Sequence, residues 1–132
     1  MIRPNDYIYF THDHLWVRFQ GAVAYIGLTD FFQRKAGNIM NVSLYGIDGT
    51  IEQFECFAII DSRREINRLK MPVEGKTIET NINIITTPSL INRSPMEEGW
   101  LIKIAVISPP EIFNLMTPME YEIYLEEQNQ LV

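Results

Sequence analysis

Cysteine is nearly missing from these 132 residues. Cys56 is the only one, so no disulfide can form within the chain and nothing points to a secreted, disulfide-stapled fold. Histidine occurs twice, at His12 and His14, which is too few for a metal site built from three or four ligands. Basic residues are scarce and scattered. Eleven Lys and Arg stand against seventeen Asp and Glu, for a net charge of −6, and no run of adjacent basic residues exceeds a pair such as Arg63-Arg64. A nucleic-acid binder normally shows a basic stripe, so that class is excluded. The acidic balance mainly confers solubility, and it would also suit a partner with a basic docking face. No apolar window approaches the length of a membrane span, and the opening MIRPNDYIYF has neither a long apolar core nor a cleavage-site pattern. The expectation is a cytoplasmic protein. Glycine-rich phosphate loops, a Ser-His-Asp arrangement and paired catalytic carboxylates are also missing, so no enzymatic activity is expected.

What is present is a core-forming sequence. The apolar share is 46%, and Leu, Ile, Val and Phe are plentiful enough to exclude a disordered chain. Residues 1–132 fit one domain, with a β core over about 7–107 and helices over about 109–128. Leu15–Phe19 and Ala22–Leu28 read as strands joined by a tight turn at Gln20-Gly21. Ile39–Leu44 alternates with period two, Phe57–Asp61 is apolar and β-friendly, and Leu69–Val73 contains Pro72, which limits it to an edge or a strand end. Lys76–Thr86, with isoleucines at 78, 82, 84 and 85, and Trp100–Ile107 complete a set of short strands suited to a sandwich or barrel. Asp30 followed by Gln33 resembles a capping box and Gly37 a stop, which predicts a short helix over Phe31–Ala36. Ser108-Pro109-Pro110-Glu111 and Thr117-Pro118-Met119-Glu120 each carry helix-start signals, predicting two short C-terminal helices. The second should turn Tyr121, Tyr124 and Leu125 toward the core.

Three segments resemble the glycine-cleavage H-protein family. Thr11-His12-Asp13-His14-Leu15-Trp16-Val17 is similar to its H-E-W-V opening strand. Ile26 to Gln33, continuing to Gly37-Asn38-Ile39, is similar to G-I-T-D-x-x-Q-x-x-L-G-D-I. Pro88 to Pro95, followed by Gly99 to Ile104, is similar to P-x-L-I-N-x-S-P-Y…G-W-x-x-K-I. Order and spacing agree from about Tyr7 to Glu127. The resemblance implies a mainly β fold, a barrel-sandwich hybrid of the lipoyl and biotinyl carrier type with one short internal helix and two short C-terminal ones. It also implies a non-catalytic carrier whose lipoylated lysine, on a hairpin turn, visits a decarboxylase, an aminomethyl transferase and a flavin dehydrogenase.

The same resemblance marks departures. The family's hairpin reads E-S-V-K-A-x-S-D. The matching stretch here is Asp61-Ser62-Arg63-Arg64-Glu65-Ile66-Asn67-Arg68, and the attachment lysine falls on Arg64. Lipoylation acylates a neutral amine, and a guanidinium holds its proton and delocalises its lone pairs. No lipoyl cofactor is therefore expected. Arg64 is either a solvated turn residue, the favoured reading, or a group aimed at an anion on a partner or ligand. Of the four lysines, Lys70 is nearest but lies six residues on, and Lys35, Lys76 and Lys103 read as a helix-end cation and strand-surface residues. In the family, the glutamate of H-E-W helps hold a charged aminomethyl group in a cleft. Beside His14 that position is Leu15, and the family's aspartate after the hairpin serine becomes Arg68.

Among single residues, Cys56 reads as a buried, inert thiol, His14 as structural, and Trp16 and Trp100 as core. His12 and His14 would share one face if extended, with Asp13 a remote third ligand, and no metal is expected. Three functions stay open. The first is a non-lipoylated, monomeric binding or regulatory module that docks on glycine-cleavage or lipoate-handling enzymes. The second is a carrier modified at Lys70. The third is a small-anion binder using a cleft near Leu15 with Arg64 and Arg68 at its rim.

Overall fold

Strands dominate the chain, as the period-two segments require. The computed structural model describes residues 7–107 and 114–130. β1 (Tyr7–Phe10), β2 (Leu15–Gln20) and β3 (Val23–Leu28) form an antiparallel meander. The turn from β2 to β3 is Gly21-Ala22, one residue later than the sequence suggests, with Gly21 at φ 61°. β9 (Ile102–Val106), β8 (Gly75–Thr80) and the two-residue β5 (Thr50–Ile51) extend this sheet in the order β1-β2-β3-β9-β8-β5. A second sheet takes β4 (Ile39–Leu44), β6 (Cys56–Ser62) and β7 (Ile66–Lys70) in the order β4-β6-β7. The layout is a two-sheet sandwich and not a closed barrel, so of the barrel-sandwich description the sandwich part holds.

Alternation along β2 places its side chains in two compartments. Leu15, Val17 and Phe19 enter the main core with Ala24, Ile26 and Leu28 of β3 and with Phe57 and Ile60 of β6. Trp16 faces the other way, into a second cluster with Phe10, Met116 and Tyr121. Both faces of β2 are thus covered, which is why five of its six residues are buried. Gly27, cross-strand from Trp16, has to be glycine, because a Cβ there would lie 2.5 Å from the indole ring. In β4 a register shift between Ile39 and Asn41 breaks the simple alternation, and Ile39 and Val42 are the buried pair.

α1 (Asp30–Ala36) begins one residue before the expected start. Its cap is Thr29, whose Oγ1 accepts from the Phe32 N–H, while Asp30 is already helical and takes the Gln33 side-chain amide. Residues 82–86, expected as strand, form α2 (Ile82–Thr86), and α3 (Ser89–Arg93) follows it. Two features override the β preference of the isoleucines. Asn81 caps α2 through its Oδ1 and also donates from Nδ2 to the carbonyls of Glu98 and Trp100. Ile84 and Ile91 can then be buried while Ile82 and Ile85 face out. α4 (Pro118–Gln130) opens on the expected capping box: Thr117 Oγ1 accepts from Glu120 N–H, and Glu120 Oε1 accepts from Thr117 N–H. Tyr121 is buried, and Tyr124 and Leu125 pack beside it. The helix expected from Ser108-Pro109-Pro110-Glu111 lies outside the described residues. Among the described residues no helix is long and apolar enough to cross a membrane.

Candidate functional site

The β6–β7 hairpin ends at Arg63 and Arg64, and its tip is laid against the C-terminal end of α1. Strand pairing runs from Asp61↔Ile66 at the tip, through Ile60↔Asn67 and Ile59↔Arg68, to Cys56↔Lys70 at the open end. Buried Ser62 closes the turn, donating from both its hydroxyl (2.7 Å) and its N–H (3.0 Å) to the Glu65 carbonyl. The Arg63 N–H donates to the Asn38 carbonyl and the Arg64 N–H to the Ala36 carbonyl. The Arg64 side chain is exposed, yet it has partners: Nη1 donates to the carbonyls of Arg34 (2.9 Å) and Lys35 (3.3 Å). The last carbonyls of a helix lack intrahelical donors and carry the negative end of its dipole, so a cation there is favourable. Gly37, at φ 79°, lets the chain turn under the tip, where a Cβ would stand 3.6 Å from the Arg64 side chain.

A lipoyl amide requires a primary amine, and the tip supplies two guanidinium groups instead. The residues present there do not fit that group. Lys70 stands on exposed strand surface at the other end of the hairpin, a span of roughly 20 Å at strand rise from Arg64. Lys76 is exposed on β8, and Lys103 lies with its Nζ 5.3 Å from the Tyr25 ring centre. Lys35 occupies the last turn of α1.

Leu15 is a correction. It does not line a cleft but lies in the main core at 1% exposure. The cleft is formed by its neighbours. His12, Asp13 and His14 from the turn before β2, Lys35 of α1, Glu65 and Asn67 to Lys70 of the hairpin, and Tyr124 and Gln128 of α4 surround a polar pocket of about 360 Å3. Phe32 and Leu69, both buried, form its apolar part. Arg68 is at this pocket as expected, and Arg64 is not. Asn67 is held by its Nδ2 donating to Glu65 Oε1 at 3.0 Å.

His12 and His14 do not share an extended face. They sit in a turn, and His14 adopts φ 68° with its N–H on the Thr11 carbonyl. His14 is tied into the fold through its ring. Its Nδ1 lies 2.8 Å from the Tyr121 hydroxyl, which donates onward to Thr29 Oγ1 at 2.9 Å, and its ring packs on Phe31 and Tyr124. Burial, helped by the Lys35 charge, holds the His14 imidazole down at about 4, against a smaller upward pull from Asp13. It is therefore neutral at physiological pH. Burial also pushes the Tyr121 phenol up to about 12, although its bond to Thr29 acts the other way. Cys56 is half-buried rather than buried, its Sγ 3.6 Å from the Ala58 carbonyl. Trp16 is fully buried, whereas Trp100 packs only partly covered against the second cluster. Among the described residues no group of three or more His, Cys, Asp or Glu is placed to hold a metal.

Sequence reasoning missed the clamp that fixes this site. Asn92 of α3 donates from Nδ2 to the Gly37 carbonyl and to Gln33 Oε1, and its Oδ1 accepts from Ile39 N–H. One side chain thus fastens the α1–β4 junction on which the hairpin tip rests. Trp16 Nε1 donates to the Pro95 carbonyl at 3.0 Å, tying β2 to the segment after α3. The signal was present in the Asn and Pro of the third motif, but the partners of those residues lie more than fifty positions away.

A sandwich that presents one hairpin over a short helix has the architecture of the lipoyl-carrier type. Residues 8–128 match the family described as Glycine cleavage H-protein. The chain is 34% identical over 127 residues to the glycine cleavage system H protein of Carboxydothermus hydrogenoformans, covering 96% of this chain and 97% of that one. It is 35% identical over 123 residues to the mitochondrial glycine cleavage system H protein of Flaveria trinervia, covering 93% and 74%. In fold it is similar to the crystal structure of a glycine cleavage system H protein from Mycobacterium marinum, with a TM-score of 0.82, 22% identity and coverage of 95% and 99%. The chain belongs to the glycine cleavage H-protein family.

Proposed function

We propose that this H-protein-family chain carries no lipoyl arm and acts as a binding module, docking on glycine-cleavage or lipoate-handling enzymes through the surface a carrier would present. H-proteins are normally lipoyl carriers rather than enzymes, so the reading keeps the family's docking and drops its cargo. The hairpin tip is the observation that carries it. Arg63 and Arg64 occupy the turn, and the Arg64 guanidinium is bonded to the α1 carbonyls where an attachment group would need to stand free. A retained hairpin and a retained α1 platform leave the shape of a carrier with nothing to deliver. Such a chain acts by occupancy, covering a site that a loaded carrier needs.

The test is competition. A glycine decarboxylase is assayed for its exchange activity with a lipoylated H-protein while this chain is added in excess. The proposal expects the apparent KM for the loaded carrier to rise with the concentration of this chain, at unchanged kcat. Activity that stays flat up to a hundredfold excess, with neither a decarboxylase, an aminomethyl transferase nor a lipoate ligase retained on the immobilised chain, removes it.

A further inference from the structure

The pocket behind the hairpin runs against the charge of the molecule that contains it. The chain carries a net charge of −6, yet this pocket is lined by Lys35, Arg68 and Lys70 against two carboxylates, Asp13 and Glu65. Among the described residues none of the three cations is ion-paired. One of the two carboxylates is already engaged, since Glu65 Oε1 accepts the Asn67 amide. His14, held neutral, adds no charge of its own. Asp13 is exposed, and so are Lys35, Arg68 and Lys70, so solvent screens all four alike. Three positive groups drawn from two different elements, α1 and β7, therefore line one concavity against two carboxylates, with one positive charge in excess.

The pocket also has an apolar part. Phe32 and Leu69 close it from the core side, and the Tyr124 ring stands on the α4 side. A volume of about 360 Å3 falls in the range of small-metabolite sites. A planar guanidinium fork such as that of Arg68 matches a carboxylate in two parallel hydrogen bonds, and the ammonium groups of Lys35 and Lys70 supply point charges beside it. We propose that this pocket is a binding site for a small organic anion, a monocarboxylate with a short aliphatic tail, with the carboxylate at Arg68, Lys35 and Lys70 and the tail against Phe32 and Leu69. Arg63 and Arg64 at the tip do not line the site, so its occupancy and the docking proposed above can fail separately.

Titration of the 15N-labelled full chain with hexanoate, hexanamide, hexylamine and inorganic phosphate tests it. Hexanoate should move the amide signals of Lys35 and Asn67 to Lys70 in a saturable way, with weaker binding at higher salt. Hexanamide and hexylamine should bind at least tenfold more weakly. Arg68→Gln should lower hexanoate affinity about tenfold or more, the scale of one lost charge-assisted pair. Lys76→Gln, on exposed β8 surface outside the pocket, should leave it unchanged. Both residues are exposed, so unaltered signal dispersion shows that the variants fold. Several outcomes overturn the proposal: no saturable shift at millimolar hexanoate, hexylamine binding as tightly, or equal weakening by the two variants. Shifts centred on Phe10, Met96 and Leu125, which line a separate apolar groove beside α4, would also overturn it. Phosphate binding more tightly than hexanoate would reject the tailed carboxylate.

Discussion

At its N-terminal end α1 is held from inside the fold. Thr29 caps it, and Thr29 is in turn bonded to the buried Tyr121 hydroxyl, which also meets His14. At its C-terminal end α1 is held from outside, by the exposed guanidinium of Arg64 reaching across from the hairpin. The first end joins three elements distant in sequence through groups removed from water, where each hydrogen bond left unmade is expensive. The second uses a flexible, solvated side chain whose contribution is modest. Structure is therefore concentrated at one end of the helix, while the other end rests on a residue that stability alone does not demand. The hairpin tip is free to be chosen for function, and here it carries an arginine whose guanidinium caps a helix.

Removing one contact at each end sharpens the contrast. Tyr121→Phe deletes the shared hydroxyl and leaves both His14 Nδ1 and Thr29 short of a partner, at a cost of about 1–2 kcal/mol. For a chain of this size thermal unfolding should then show a Tm lower by roughly 4–8 °C. Acid probes the same end. His14 titrates near 4 when folded, against an ordinary value of 6.5. As pH falls from about 6.5 to about 4, the unfolded chain takes up a proton that the folded site refuses, so stability is present above 6.5 and lost on descent through that window. A Tm profile should drop by a few degrees there, discounted for the solvent access of the ring, and His14→Gln should flatten that part of the profile. Arg64→Ala at the other end should be the mildest change, about 0.5 kcal/mol by denaturant titration. If Arg64→Ala destabilises more than Tyr121→Phe, the two ends have been assigned the wrong weights.

The motif residues make contacts that hold this chain's fold: the Trp16 to Pro95 bond, the close approach of Gly27 to Trp16, and the Asn92 clamp. Their presence could be read from the sequence, though their partners could not, because a residue's type does not reveal which carbonyl it meets fifty positions away. Isoleucine spacing suggested strand at 82–86, and Asn81 settled it as helix through bonds to Glu98 and Trp100 that no local pattern announces. At the site, an arginine pair in the hairpin turn was visible, but the engagement of Arg64 with α1 was not. Leu15 was placed in a cleft from the position it occupies in the motif. The pleat of β2 turns that side chain into the core instead, and leaves Lys35, Arg68 and Lys70 as the groups that line the cleft.

The most direct test of the proposed loss of the arm is intact mass after co-expression with a lipoate ligase and free lipoate, with Arg64→Lys run beside the wild type. On the proposed function, the wild type should keep its unmodified mass and Arg64→Lys, which supplies an amine at the tip, should gain one lipoyl group. A lipoyl group on the wild type, mapped by peptide analysis to Lys70 or any other lysine, would contradict the account.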